Sequence, residues 1–190
     1  MRMHNLYLVA LAVGFHIMTF AANGETNRNE DMKKRPDYSV THKDEDMVAL
    51  VRSADHKTLA AWAIDCVERV LPYFEDKYPE DHRPRQAIET LQAWLRTGVF
   101  KMSVIRGASL AAHAAARDVV EDNPARSAAH AAGQAVATAH VPAHSIGAAN
   151  YAVQAVFRAA DPADSDAAAA KERAWQLTHL RKLLESSEIK

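Results

Sequence analysis

One cysteine, Cys66, is all the sulfur chemistry that 190 residues offer beyond methionine. A disulfide within the chain is therefore excluded, and with it any scaffold stapled by sulfur. An excess of charge is missing too. There are 23 Lys and Arg against 24 Asp and Glu, a formal net charge of −1, and the pI is about 6.8. A chain so balanced has no overall electrostatic footprint for nucleic acid or an anionic membrane. Glycine is scarce, at 6 residues, and none of it forms a Gly-rich phosphate loop or a G-x-S-x-G elbow. No Cys/His nucleophile pair is spaced for catalysis. No stretch alternates apolar and polar residues long enough to predict a sheet. These absences argue against an enzyme and against a resident cofactor.

What is present is an ordinary globular composition, 48% hydrophobic and 25% charged, with enough of both to fold and stay in solution. The length suggests one domain with tails, and a chain of this size buries roughly 70% of its unfolded surface. Residues 1–22 contain an apolar run, Leu6 to Ala22, preceded by Arg2 and ending near the small residues Thr19 and Ala21. That is the layout of a secretory signal peptide, and it is short for a membrane span of roughly 20 apolar residues. Met32 offers a second start, immediately before Lys33, Lys34 and Arg35. The first reading makes the protein exported, periplasmic or secreted; the second makes it cytoplasmic. Residues 23–52 read as a polar linker, 53–185 as the helical domain and 186–190 as a tail.

The domain is alanine-rich and its apolar residues recur at helical spacing. Six helices, packed as a bundle or orthogonal array, are expected. The first begins near Ser53 as N-cap and carries Leu59, Ala63, Cys66, Val67, Val70 and Phe74 on one face. Pro72 should break it. Asp65 and Arg69, four apart, can pair locally. Asp81 can cap a second helix, with Pro84 in its first turn and Ile88, Leu91 and Leu95 as its stripe; Gly98 stops it. A third starts near Ser103, with Val104, Ala108, Ala111, Ala115 and Val119 on one face. Asn123 caps the fourth and Pro124 opens it. Its residues Ala125, Ala128, Ala132, Ala135 and Ala139 form a seam of small side chains around Gly133, which predicts a central, closely packed helix. Val141-Pro142 ends it. A fifth carries Ile146, Ala149, Val153, Val156 and Phe157. A sixth follows Asp161-Pro162, with Ala170, Ala174, Leu177, Leu180 and Leu184 as its buried stripe.

Histidine is the one excess that suggests chemistry. His113, His130, His140 and His144 fall in the middle of the domain. His140 and His144 are four apart, as metal ligands on one helical face would be, but Pro142 lies between them and no acidic residue completes an H-E-x-x-H motif. Roles in helix-end hydrogen bonds fit better, and a His-rich metal protein or enzyme stands as the alternative. Cys66 reads as a small buried hydrophobe, and Trp62, Trp94 and Trp175 as core packing. A face with Arg106, His113, Arg117 and Glu121 could be solvated surface or could meet a partner, since arginine is enriched in interfaces.

An ordered string of motifs runs through these helices. Trp62-Ala63-Ile64-Asp65-Cys66-Val67-Glu68-Arg69-Val70-Leu71 comes first, then Arg83-Pro84-Arg85-Gln86-Ala87-Ile88. Leu110-Ala111-Ala112-His113-Ala114-Ala115-Ala116-Arg117 follows, then Ala131 to Val141 through Gly133, Thr138 and His140, then His144 and Ala149-Asn150-Tyr151-Ala152. From about Thr58 to Leu180 the string resembles a bacterial family of immunity proteins, the immunity-protein-five-like domain found with polymorphic toxin systems. Two departures stand out: Gln134, where histidine is expected in many relatives, and the N-terminal apolar run, unexpected in a cytosolic member. The resemblance implies a protein that binds and neutralises a cognate toxin, with no catalysis of its own. The face expected to meet the toxin includes Asp65, Glu68, Arg83, Arg85, His113 and Arg117. A purely structural helical oligomerisation module is the remaining alternative.

Overall fold

The computed structural model describes Tyr38, residues 45–120 and residues 123–188, all within the unit Pro36–Lys190. The apolar segment 1–22, the Met32 start and residues 189–190 of the tail lie outside the described residues. Among those described every element is helical: α1 (Glu45–Ser53), α2 (His56–Glu68), α3 (Pro72–Glu75), α4 (Arg83–Thr97), α5 (Met102–Asp118), α6 (Pro124–Ala137), α7 (His144–Ala159) and α8 (Ser165–Glu188). The all-α class expected from the spacing holds, with eight helices where six were expected.

Local sequence sets most boundaries. Asn123 caps α6 by accepting from the Arg126 amide, and Pro124 occupies the first turn, where its missing N–H costs nothing. Gly98 ends α4 in the left-handed region at φ 68°, a conformation that a side chain would strain. Pro72 interrupts the first long pattern and opens the short α3. The first cap falls two residues later than expected. Ser53 closes α1, and Asp55 caps α2 with its carboxylate on the Lys57 and Thr58 amides. Oδ1 accepts from both amides, which leaves Oδ2 to accept from the Thr58 hydroxyl, a second anchor that a serine cap lacks. α1 itself is a short amphipathic helix whose Met47 joins the core.

α6 is the centre. It packs against α2, α3, α4, α5 and α7, and Ala125, Ala128, Ala132, Ala135 and Ala139 of its seam are all buried. Methyl side chains let five neighbours approach one backbone. Two apolar clusters lie on either side of α2 and α6. One gathers Trp62, Cys66, Phe74, Ala128 and Leu180; the other gathers Val67, Ile88, Leu91, Ala132 and Val136. Cys66 is wholly buried, and desolvation pushes its thiol pKa well up. It behaves as the small hydrophobe expected of it.

Two faces differ from the sequence pattern. On α5 the buried side is Ile105, Ala112, Ala115, Ala116 and Val119, while Val104 is exposed. Ala115 and Val119 are buried as expected, and the difference is confined to the first turn, where Ile105 and not Val104 reaches the core. On α8, Ala170 and Ala174 are exposed and the buried line is Glu172, Gln176 and Leu180. A polar stripe is tolerated there because its partners come from other helices. Trp62 Nε1 donates to the Gln176 carbonyl at 3.0 Å, and Gln176 Nε2 donates to the Ala149 carbonyl at 3.1 Å.

Candidate functional site

The residues singled out from the sequence fall into three groups. Asp65 belongs to the first, where α2 meets α8. Its carboxylate meets His179 Nε2 at 2.7 Å. Arg69 grips Glu172 through Nε and Nη2, at 2.9 Å for the closer Nη2 bond. Its guanidinium also lies 3.9 Å over the Trp175 ring, which stacks on His179. Asp65 and Arg69, expected to pair with each other, thus both reach across to α8.

Glu68, Arg83 and Arg85 form the second group, around the start of α4. Arg85 Nη1 donates to Glu68 at 2.7 Å and Arg85 Nε to Glu75 at 2.7 Å. Arg83 bonds Asp81 at 2.6 Å and Asp118, the last residue of α5, at 2.7 Å. Asp81, expected as the cap of α4, accepts from both the amide and the side chain of Arg83, and its carboxyl pKa is lowered by that guanidinium. These charges are met within the molecule. They tie α2, α3, α4 and the end of α5 together.

His113 and Arg117 belong to the third group, where α5, α6 and α7 come side by side. His113 and Arg117 are one turn apart on α5, and Arg126 and His130 are one turn apart on α6. The two imidazoles touch, Nδ1 to Nδ1, at 2.9 Å. One nitrogen must donate and the other accept, so the pair cannot hold two protonated rings in this geometry. Burial and neighbouring cations agree with that. His113 is lowered by desolvation and by Arg117; His130 is pulled down to about 4 by desolvation, then His113, Arg126, Arg117 and Arg158. Tyr151 of α7 stacks on His130 with centroids 5.0 Å apart. Arg158 donates to Ser127 at 2.6 Å. A Cβ on Gly133 would come within 2.9 Å of the His113 ring. The mid-helix glycine therefore makes room for that imidazole, a reason beyond close helix packing.

At the other end of this face, His144 Nδ1 donates to Gln134 Oε1 at 2.7 Å, and His140 lies exposed in the turn before α7. A cleft of about 430 Å³ opens beside them, lined by Met102, Ile105, Arg106, Leu110, His140 and His144 among others. The four histidines do not converge as ligands. Among the described residues no group of three or more His, Cys, Asp or Glu is placed to hold a metal. Sequence reasoning placed Arg106 on the face of His113 and Arg117 but missed Arg126, Tyr151 and Arg158. The signal available for Arg126 was its spacing of four from His130, the mirror of His113 and Arg117 on the neighbouring helix.

Fold and site together define a helical scaffold that presents side chains outward. Among the described residues no helix is long and apolar enough to cross a membrane. Residues 49–183 match the family described as Imm-5 like putative immunity protein, and the chain belongs to that family. No curated protein and no solved structure gives a significant match.

Proposed function

We propose that this protein neutralises a cognate bacterial toxin by binding it directly, without catalysis. Family membership across residues 49–183 carries the reading, and the architecture suits it. A rigid core built on α6 leaves the outer faces of α4, α5 and α7 free to hold fixed shapes, and rigid surfaces lose little entropy on binding. A standard interface of about 1,600 Å² in total would fit on such a domain.

Coexpression tests the reading. Cells that make the toxin encoded beside this gene should survive when this chain is made with it, and the purified pair should form a stable complex. Survival without a complex would sink direct binding. His113→Ala with Arg117→Ala should weaken that complex about tenfold or more while leaving the melting temperature within a few degrees. If thermal stability collapses instead, both residues serve the fold.

A further inference from the structure

The charge of this chain is balanced overall but not along its length. Between Val99 and Arg117, and again between Asn123 and Ala160, it carries Lys101, Arg106, Arg117, Arg126 and Arg158 and neither Asp nor Glu. This happens in a protein whose acidic residues outnumber its basic ones. α5, α6 and α7 thus hold one carboxylate among them, Asp118, and Arg83 takes it. On α2 and α4, by contrast, Arg69, Arg83 and Arg85 are each met by an acid of the same chain. The same helices that lack acids also hold the cleft, and beside it Met102 is 43% exposed and Leu110 53% exposed. Arg106 and Arg117 are exposed on α5, on either side of Leu110 in sequence. Exposed apolar groups among cations mark a surface built to be covered.

We infer that the toxin docks on this α5–α6–α7 face and that its own surface is acidic there, with an apolar side chain entering the cleft beside Met102 and Leu110 and carboxylates meeting Arg106 and Arg117. This rests on the reading of the protein as a toxin-binding one. It deepens that reading by naming the partner's chemistry and by setting apart the His113 and Arg117 group from the internally paired Asp65, Glu68, Arg83 and Arg85. Opposite fields across an interface act mainly on the encounter rate and are screened by salt.

The test measures association of the full chain with the toxin encoded beside its gene, at about 50 mM and about 500 mM salt. The unaltered protein should associate at least about tenfold more slowly at the higher salt. The double variant R106E/R117E should bind about tenfold or more weakly at low salt and lose most of that salt dependence. Leu110→Ser, an exposed substitution, should shorten the complex's lifetime with little change in the encounter rate. Lys171→Glu, an exposed charge reversal on α8, should change affinity less than about twofold. Circular dichroism confirms that each variant is folded. Equal binding by R106E/R117E and the unaltered chain overturns the inference but leaves toxin binding intact. So does a homodimer in ultracentrifugation that R106E/R117E dissolves, because the face would then belong to a second copy. If the unaltered chain binds no toxin, the functional reading itself falls, and this one with it.

Discussion

His130 occupies a place where a proton is costly. Its ring is pressed between His113 and Tyr151, and the nearby charges are cationic. An imidazole in the unfolded chain titrates near 6.5, whereas this one titrates near 4 in the fold. Between those values the unfolded chain binds more protons. The stabilising effect of keeping the ring neutral is therefore complete above about pH 6.5 and is lost as pH falls toward 4. The ring is partly exposed, so solvent screening holds the loss to about 1–2 kcal/mol. His113, lowered by the same causes, acts in the same direction. Urea unfolding at pH 7 and pH 4.5 should show the unaltered protein losing more stability than His130→Gln. Parallel losses would mean that other groups govern the acid limb.

At the level of elements, the docking of α8 onto α2 is polar at its centre. Glu172 is only 3% exposed, while the Arg69 side chain that neutralises it is 42% exposed. Removing the arginine strands a buried carboxylate. Arg69→Ala is expected to cost about 2–3 kcal/mol, less than a fully buried pair because the guanidinium is half in water. Glu172→Ala should cost a similar amount. The double variant should cost clearly less than the two single losses added, since the second deletion removes the stranded partner. Urea midpoints of the four proteins decide this; strict additivity would show that the ion pair contributes nothing beyond packing.

For the molecule as a whole, everything depends on how closely helices approach α6. Ala132 is fully buried between neighbours on several sides. Ala132→Leu should cost at least about 1–3 kcal/mol, through forced displacement of a helix. Ala174→Leu adds the same three carbons on the exposed side of α8 and should stay within about 0.5 kcal/mol. Denaturation midpoints compare them. Equal effects would mean that the α6 seam has slack and that the scaffold is less rigid than toxin binding through a preformed face requires.

Local chemistry was enough to read much of this protein from its residues. Asn123-Pro124 and Gly98 end and start helices because their backbone preferences act within a turn. The alanine seam from Ala125 to Ala139 announced a central helix, because only small side chains permit burial on many sides. The same run, with Gly133, Thr138 and His140, carried much of the family likeness that the match over residues 49–183 bears out. Apolar periodicity placed Ala115, Val119, Leu177, Leu180 and Leu184 against the core but misplaced Val104 on α5 and Ala170 and Ala174 on α8. It counts hydrophobic residues, and the first half of α8 instead buries the polar Glu172 and Gln176, whose partners, Arg69, Trp62 and Ala149, lie far away in sequence. The candidate face divided for the same reason. Asp65, Glu68, Arg83 and Arg85 looked like free charges alongside His113 and Arg117. Only packing brought each of the four to a partner within the chain and assembled His113, Arg117, Arg126 and His130 on helices that have almost no carboxylate to offer them. A charge is available to a partner only when the fold has not already answered it, and that depends on contacts across more than a hundred residues of chain for Arg69 and Glu172.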